Sequence, residues 1–493
     1  MAALYLAPVL RKVELLLWVA GVAGALWLIF PFGFPNYDTV YALVWGEQLA
    51  QGISPEYGAP LPPTPHPLAD LWGMAVAPVG ATFASDATTV VAYLALGAIA
   101  YLVYRLGTLW FDRPIGVVAA LIVLTRAPFL SNGLRAYVDL PYIALALAAL
   151  AIETRRPRAG WPVLALLAVA GLLRPEAWLF SAAYLGYMAL ELDPERGGLA
   201  LRRRTEIAGE RLLGLAALAA AAPIGWAAFD LITASDPLYS LTGTRETVET
   251  LERKTGPIDL VLYGPRRLGE VMQIPGLVGA AAGMVLGLAF LRRRSLIGVA
   301  AAVLAGAAFA VLACAGLAII PRYTMLASAV LCVFCAVTLL GWRLLPGDHP
   351  WRGRWQLVAA VVLVAFAVQA PQQADYLSTV RSDLDEQSAI ESDLHELADS
   401  GAFRQDCVPI SVPNHRAVPR LAAWLDLRPS QIVSSSEQRQ PDHGYFLDPA
   451  NENVVRHFVL DPNDPARLTT KVPPGFRRVS RNESWLLYAR CPT

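Results

Sequence analysis

The chain has 493 residues, of which 55% are hydrophobic and only 16% charged. A mean hydropathy of +0.44 leaves too little polar surface for an ordinary soluble domain, so the sequence reads as a polytopic membrane protein. The 40 basic and 40 acidic side chains cancel, and no basic groove is interleaved with aromatics, which argues against a nucleic-acid partner.

The first apolar run, 14–31, follows Arg11 and Lys12 and is not followed by a small-x-small cleavage site. It reads as a retained signal anchor with the N-terminus on the cytoplasmic side. Apolar runs long enough to cross a bilayer follow at 88–107, 114–130, 138–153, 160–174, 176–191, 209–231, 273–291, 296–319, 323–341 and 355–370, about 11 spans in all. On this topology the "RRPR" run at 155–158 and the Arg triplets at 202–204 and 292–294 fall inside, as the positive-inside rule requires. The first outer loop, 32–87, has no Lys or Arg, and five outer bases collect in one long outer loop, 232–272.

An odd number of spans divides the chain into a transmembrane part, 1–370, and an extracytoplasmic segment, 371–493. That segment reads as a small α/β domain: "CVPISV" and "ESWLLYARC" have strand patterns and "AVPRLAAWLDL" is an amphipathic helix. Its two cysteines, Cys407 and Cys491, would join the first strand to the last in an oxidising compartment; two separate buried thiols are the alternative.

The first outer loop opens with "FGFPNYDTVYALVWGEQLAQG" and continues through a Pro-rich stretch to "HPLADLWG". Residues 38–50 and 67–78 read as short helices lying along the membrane surface. Asp38 at the start of the first has an ordinary use as an N-cap. Tyr37, Tyr41 and Trp45 beside it suit either a sugar-stacking face or an interfacial aromatic belt. Charges elsewhere are less easily explained. Arg135, Arg174 and Arg322 sit at the outer ends of apolar spans, where an unpartnered charge is costly. Each also has a local reading. Arg174 and Glu176 in "LLRPEAW", and Arg322 with Tyr323 in "IIPRYTM", mark turns between spans, while Arg135 stands four residues from Asp139, the spacing of a helical ion pair. His66 in "TPHPL" is either solvated or a donor contact.

The order of these features resembles the GT-C class of membrane glycosyltransferases, which includes protein O-mannosyltransferases and lipid A aminoarabinose transferases. The matching stretches are an Asp past the opening span, the "HPL" surface helix, "YRLGTLWFDRP", "TRAPFLSNGLRAYVDLPY" and "GLLRPEAWLF", all within 14–191. The resemblance implies a GT-C-like helical fold and a sugar transferred from a polyprenyl-phosphate donor to a glycan, lipid or protein hydroxyl on the outer face of an inner membrane. It implies Asp38 as the catalytic base, and it matches Pro128, Asp139 and Pro141 to the family's Pro and Asp at the outer ends of the third and fourth spans. The family usually follows its first acid with Glu; this chain has Thr39.

That chemistry accounts for the residue types. A carboxylate within hydrogen-bond reach takes the acceptor proton, and a departing lipid phosphate calls for Arg donors. Arg174, Arg322 and Arg135 are therefore candidate phosphate partners, with Asp139, Glu176, Tyr37, His66 and Tyr323 as further substrate contacts. The six histidines show no metal-ligand spacing and no zinc site is expected, although some relatives use a divalent ion and one is left open here. Nucleotide-binding loops and the serine nucleophile elbow are missing too. Two rival classes remain: a noncatalytic receptor or assembly scaffold, and a secondary transporter, which the unlike halves of the chain disfavour.

Overall fold

The computed structural model describes residues 2–59, 61–192, 201–204, 209–404, 406–459 and 472–491. Helix α1 (Ala2–Ile29) ends at the Pro- and Gly-rich run before Asn36. Two short helices, α2 (Tyr37–Ala50) and α3 (Pro67–Val76), follow before α4 (Ala81–Trp110) re-enters the bundle. Then come α5 (Arg113–Leu124), α6 (Ala127–Leu134), α7 (Asp139–Arg155), α8 (Trp161–Gly171) and α9 (Glu176–Ala189). A small hairpin of β1 (Leu190–Leu192) and β2 (Leu201–Arg203) joins α9 to α10 (Gly209–Ala234).

The segment 232–272, read from sequence as a long loop, is largely helical. It holds the end of α10, all of α11 (Tyr239–Thr250) and the first half of α12 (Gly256–Phe290). Helix α13 (Arg292–Cys314), α14 (Met325–Leu340) and α15 (Arg352–Asp399) complete the bundle. The eleven apolar stretches fall mainly on helices, with 114–130 split between α5 and α6. By length and composition, six of the described helices suffice to cross a membrane, or seven if α5 and α6, bent by 62°, count as one span. That bend faces a second break, at Gln273 within α12, where φ is 59°. Arg126 ties the two together, donating from Nη1 to the Met272 carbonyl at 3.0 Å and to Gln273 Oε1 at 3.3 Å. The backbone groups freed at the breaks thereby find partners inside the protein.

Close helix approach depends on small residues. At the α2–α3 crossing, a Cβ added to Gly46 would lie 2.3 Å from the Met74 amide nitrogen, and one on Gly73 would lie 2.4 Å from the Ala42 carbonyl. The two short helices are therefore locked backbone to backbone.

Helix α15 is 48 residues long and runs unbroken past residue 370. Its polar second half carries the small C-terminal unit, built from β3 (Ile410–Val412), α16 (Val418–Leu425), β4 (Ile432–Ser434), β5 (Gly444–Pro449), β6 (Arg477–Arg481) and β7 (Trp485–Arg490). The sheet order is β4-β3-β5-β7-β6, with β3 parallel to both β4 and β5 and the remaining pairs antiparallel. A disulfide joins Cys407, ahead of β3, to Cys491, after β7. The core of this unit does not stop at the sheet. Tyr41 and Trp45 of α2 are fully buried in the same apolar cluster as Ile390, Leu421 and Trp485, so they form no open stacking face. Helix α2 thus lies between the bundle and α16 of the C-terminal unit.

Candidate active site

Helix α2 starts where Pro35 ends an irregular run, and its cap is Asn36 rather than Asp38. Asn36 has extended backbone, and its Oδ1 accepts from the amides of Asp38 at 2.7 Å and Thr39 at 3.3 Å. Asp38 occupies the first turn, where a negative charge suits the helix N-terminus. Its carboxylate is free of capping and meets Arg322, with Oδ2 3.1 Å from Nη1. Thr39 points to the bundle, its hydroxyl donating to the Ala136 carbonyl at 2.8 Å.

Arg322 stands in the tight turn Pro321–Thr324 that introduces α14. Its guanidinium lies 5.1 Å from the ring centroid of Tyr137 and 5.4 Å from that of Tyr323, and its buried Nε has no hydrogen-bond partner. The other side of the Tyr323 environment belongs to Arg174, whose guanidinium is 4.0 Å from the ring centroid. One aromatic ring therefore contacts both arginines, a favourable cation–π arrangement.

Arg174 is 4% exposed and sits in the turn between α8 and α9. Its Nη2 donates to Glu176 Oε1 at 2.7 Å, its Nε to Glu176 Oε2 at 3.3 Å, and its Nη1 lies 3.4 Å from Asp139 Oδ1. Glu176 and Asp139 are as deeply buried, so this is a closed ion cluster with a bidentate arm. Asp139 Oδ2 is buried and has no hydrogen-bond partner.

His66 caps the approach to α3, edge-on to Trp226 at 5.7 Å between ring centroids, with a buried and unpartnered Nδ1. Burial first, and then the Arg174 guanidinium, push its imidazole down to about 4. It is neutral at physiological pH and can donate or accept a hydrogen bond without adding charge.

Asp38, Arg322, Tyr323, Arg174, Asp139, Glu176 and His66 thus converge, although they come from five separate stretches of chain. Two residues singled out from sequence face elsewhere. Arg135 does not pair with Asp139, because the backbone turns through Ala136 at φ 50° before α7 begins and the two never share a helical face. Its Nε donates instead to Gln387 of α15 at 2.9 Å. Tyr37 is next to Asp38 in sequence, yet its hydroxyl donates to the Leu61 carbonyl at 3.1 Å and its ring meets Tyr41 and His415 edge-on. Sequence reading overlooked Asn36, whose place beside Pro35 is a capping signal, and Tyr137, whose contact with Arg322 had no local signature. Among the described residues no group of three or more His, Cys, Asp or Glu side chains is placed to hold a metal ion.

No family model matches the chain, and no curated protein matches it by sequence. Solved structures do. The crystal structure of ArnT from Cupriavidus metallidurans bound to undecaprenyl phosphate superposes with a TM-score of 0.56 at 13% identity, over 96% of this chain and 97% of that one. The chain shares the GT-C-like fold of ArnT. The apo form of the same ArnT matches with a TM-score of 0.51 at 13% identity, over 99% of this chain and 98% of that one. The GT-C likeness therefore extends beyond the first 191 residues, through α10 to α15 and the C-terminal sheet.

Proposed function

We propose that this GT-C-fold chain is a membrane glycosyltransferase that moves a sugar from a polyprenyl-phosphate donor to an acceptor hydroxyl, with Asp38 as general base. The observation that carries this reading is the Asp38 carboxylate: Asn36 has relieved it of capping, and it meets Arg322, which shares the Tyr323 ring with Arg174. The ArnT relative in fold holds undecaprenyl phosphate, which supports the donor class.

In the reaction the acceptor oxygen attacks the anomeric carbon and its proton passes to Asp38. The bond from that carbon to the phosphate oxygen breaks, and its electron pair leaves with the lipid phosphate. Arg174 has no free edge, since all three of its nitrogens face carboxylates. Arg322 does have one, at its unpartnered Nε. Donor phosphate binding on that edge draws Arg322 from Asp38 and frees the carboxylate for the acceptor, so the base is exposed when the donor arrives. Further positive charge lies next to Arg322 along the chain. Arg245 donates to the Ala315 carbonyl at 2.9 and 2.7 Å, Arg267 to the Ile319 carbonyl at 3.0 Å, and the Lys254 carbonyl accepts from the Ile319 amide. Arg267 is also paired with Glu270 at 3.0 Å, so Arg245 and Lys254 are the charges left to line a cationic rim for the departing phosphate, while Tyr323 and neutral His66 offer a ring face and a hydrogen bond to the sugar. The positive-inside bias of the sequence supports an outer location for this end of the bundle and the C-terminal unit.

The test is release of polyprenyl phosphate from a polyprenyl-phosphate sugar by purified protein reconstituted with cell-envelope glycan, lipid and protein fractions. Acceptor-dependent release supports the reading. Binding of a partner with no release across donors of differing sugar would return the chain to the scaffold class.

A further inference from the structure

The turn that carries Asp38 is held from two sides. On the bundle side, the Phe34 amide donates to the Leu134 carbonyl at 2.9 Å, and the Asn36 amide and side-chain amide donate to the Arg135 carbonyl at 2.8 and 2.9 Å. On the other side the hold comes from 385 positions away. Arg420, on α16 of the C-terminal unit, donates from Nη2 to the Pro35 carbonyl and lies 5.8 Å from the centroid of the Phe34 ring. The same Nη2 is ion-paired with Glu391 of α15. Arg420 is 5% exposed and Glu391 9%.

A buried ion pair is a poor source of net stability, because desolvation consumes most of the Coulombic gain and apolar replacements often fold as well. Packing alone therefore gives no reason for an arginine here. A neutralised guanidinium, however, can do what an apolar side chain cannot: it gives the Pro35 carbonyl a donor at the residue before the α2 cap. We propose that Arg420, held by Glu391, is a positioning residue that seats the Pro35–Asp38 turn and so sets where the Asp38 carboxylate lies. A second strut runs parallel to it. Arg135 donates to Gln387, which donates in turn to the His457 carbonyl at 2.9 Å. Both struts end on α15 or the elements packed on it, so the C-terminal unit is part of the site's support. Catalytic groups need placement to within about half an ångström, which a turn tethered on one side alone does not secure.

This inference rests on Asp38 being the base, and its test separates the two. The apolar pair Arg420→Met with Glu391→Leu removes the donor to Pro35 while preserving volume. Its unfolding midpoint should stay near that of wild type, because removing both buried charges together offsets the loss of one donor to the Pro35 carbonyl. Its kcat should fall by about ten- to a hundredfold, the usual effect of a small misplacement, with donor KM within about threefold because Arg322 is untouched. Wild-type kcat, or a loss confined to KM, overturns the proposal. Should the apolar pair not fold, Glu391→Gln keeps the shape and loosens the hold on Arg420, and the same criteria apply. A structure of the variant decides independently of activity. A displaced Pro35–Asp38 turn supports the positioning role even if Asp38→Asn shows that another group is the base, and an unmoved turn refutes it even if Asp38 is essential.

Discussion

Arg174→Ala is expected to damage the fold before it damages donor binding. The substitution removes the only cation ion-paired with Glu176 and Asp139 among the described residues; these are 4% and 2% exposed and cannot be rehydrated without opening the turn between α8 and α9. Removing one partner from a buried pair costs about 3–5 kcal/mol, and here two carboxylates lose it together. Arg322→Ala is the control. The Arg322 and Asp38 side chains are 20% and 25% exposed, so solvent screens their attraction and the loss should be about 1 kcal/mol or less. Reversible unfolding in mixed detergent micelles reads both values, with labelled polyprenyl phosphate binding measured on the folded fraction. Arg322→Ala should weaken binding with little loss of stability. Arg174→Ala within about 1 kcal/mol of wild type, or Arg322→Ala as costly as Arg174→Ala, would refute the division of roles between the two arginines.

The His66 imidazole is pushed down from 6.5 to about 4 in the folded protein, so the unfolded chain takes up its proton first as pH falls. Stability should decline from pH 6.5 toward 4, and His66→Gln should flatten that decline in a pH series of unfolding midpoints. Replacing Cys407 and Cys491 by Ala opens a loop of sequence separation 84, for which the chain-entropy model gives a loss of about 4 to 5 kcal/mol, read by denaturant unfolding with and without reductant. Gly46→Ala places a methyl 2.3 Å from the Met74 amide nitrogen, so α2 and α3 must part; proteolysis between 51 and 66 should accelerate while the long spans stay intact.

The helical bundle was readable because long apolar runs have few other uses, and the eleven fall mainly on helices, of which six or seven are long and apolar enough to cross a membrane. Beyond the apolar runs the signals weaken. The "YSLTGTRETVET" stretch has little apolar periodicity, and α11 forms there because it packs against Tyr57, Thr64 and the α13 end, with Tyr239 donating to the Tyr57 carbonyl and Arg245 to Ala315. Helix α15 outruns its apolar stretch for the same reason: its polar half buries Ile390 and Leu394 in the C-terminal core. At the site, residue types and span ends pointed to Asp38, Arg174 and Arg322, yet their pairing was hidden. Arg322 and Asp38 stand 284 positions apart, and Arg174 could equally have been a snorkelling turn residue. Asp38 and Asn36 compete for the cap in "PNYD", and only the geometry of the turn decides it. Arg135 illustrates the reverse: its four-residue spacing from Asp139 implies a pair only if a helix connects them, and Ala136 breaks that helix.

The central claim is tested most directly by Asp38→Asn in a preparation that turns over a polyprenyl-phosphate sugar. The substitution preserves size and spares the cap, which belongs to Asn36. Turnover should fall by on the order of a hundredfold or more, the usual worth of a positioned general base, while donor affinity stays within a few fold. Turnover close to wild type would contradict the account and leave Asp38 as the structural partner of Arg322.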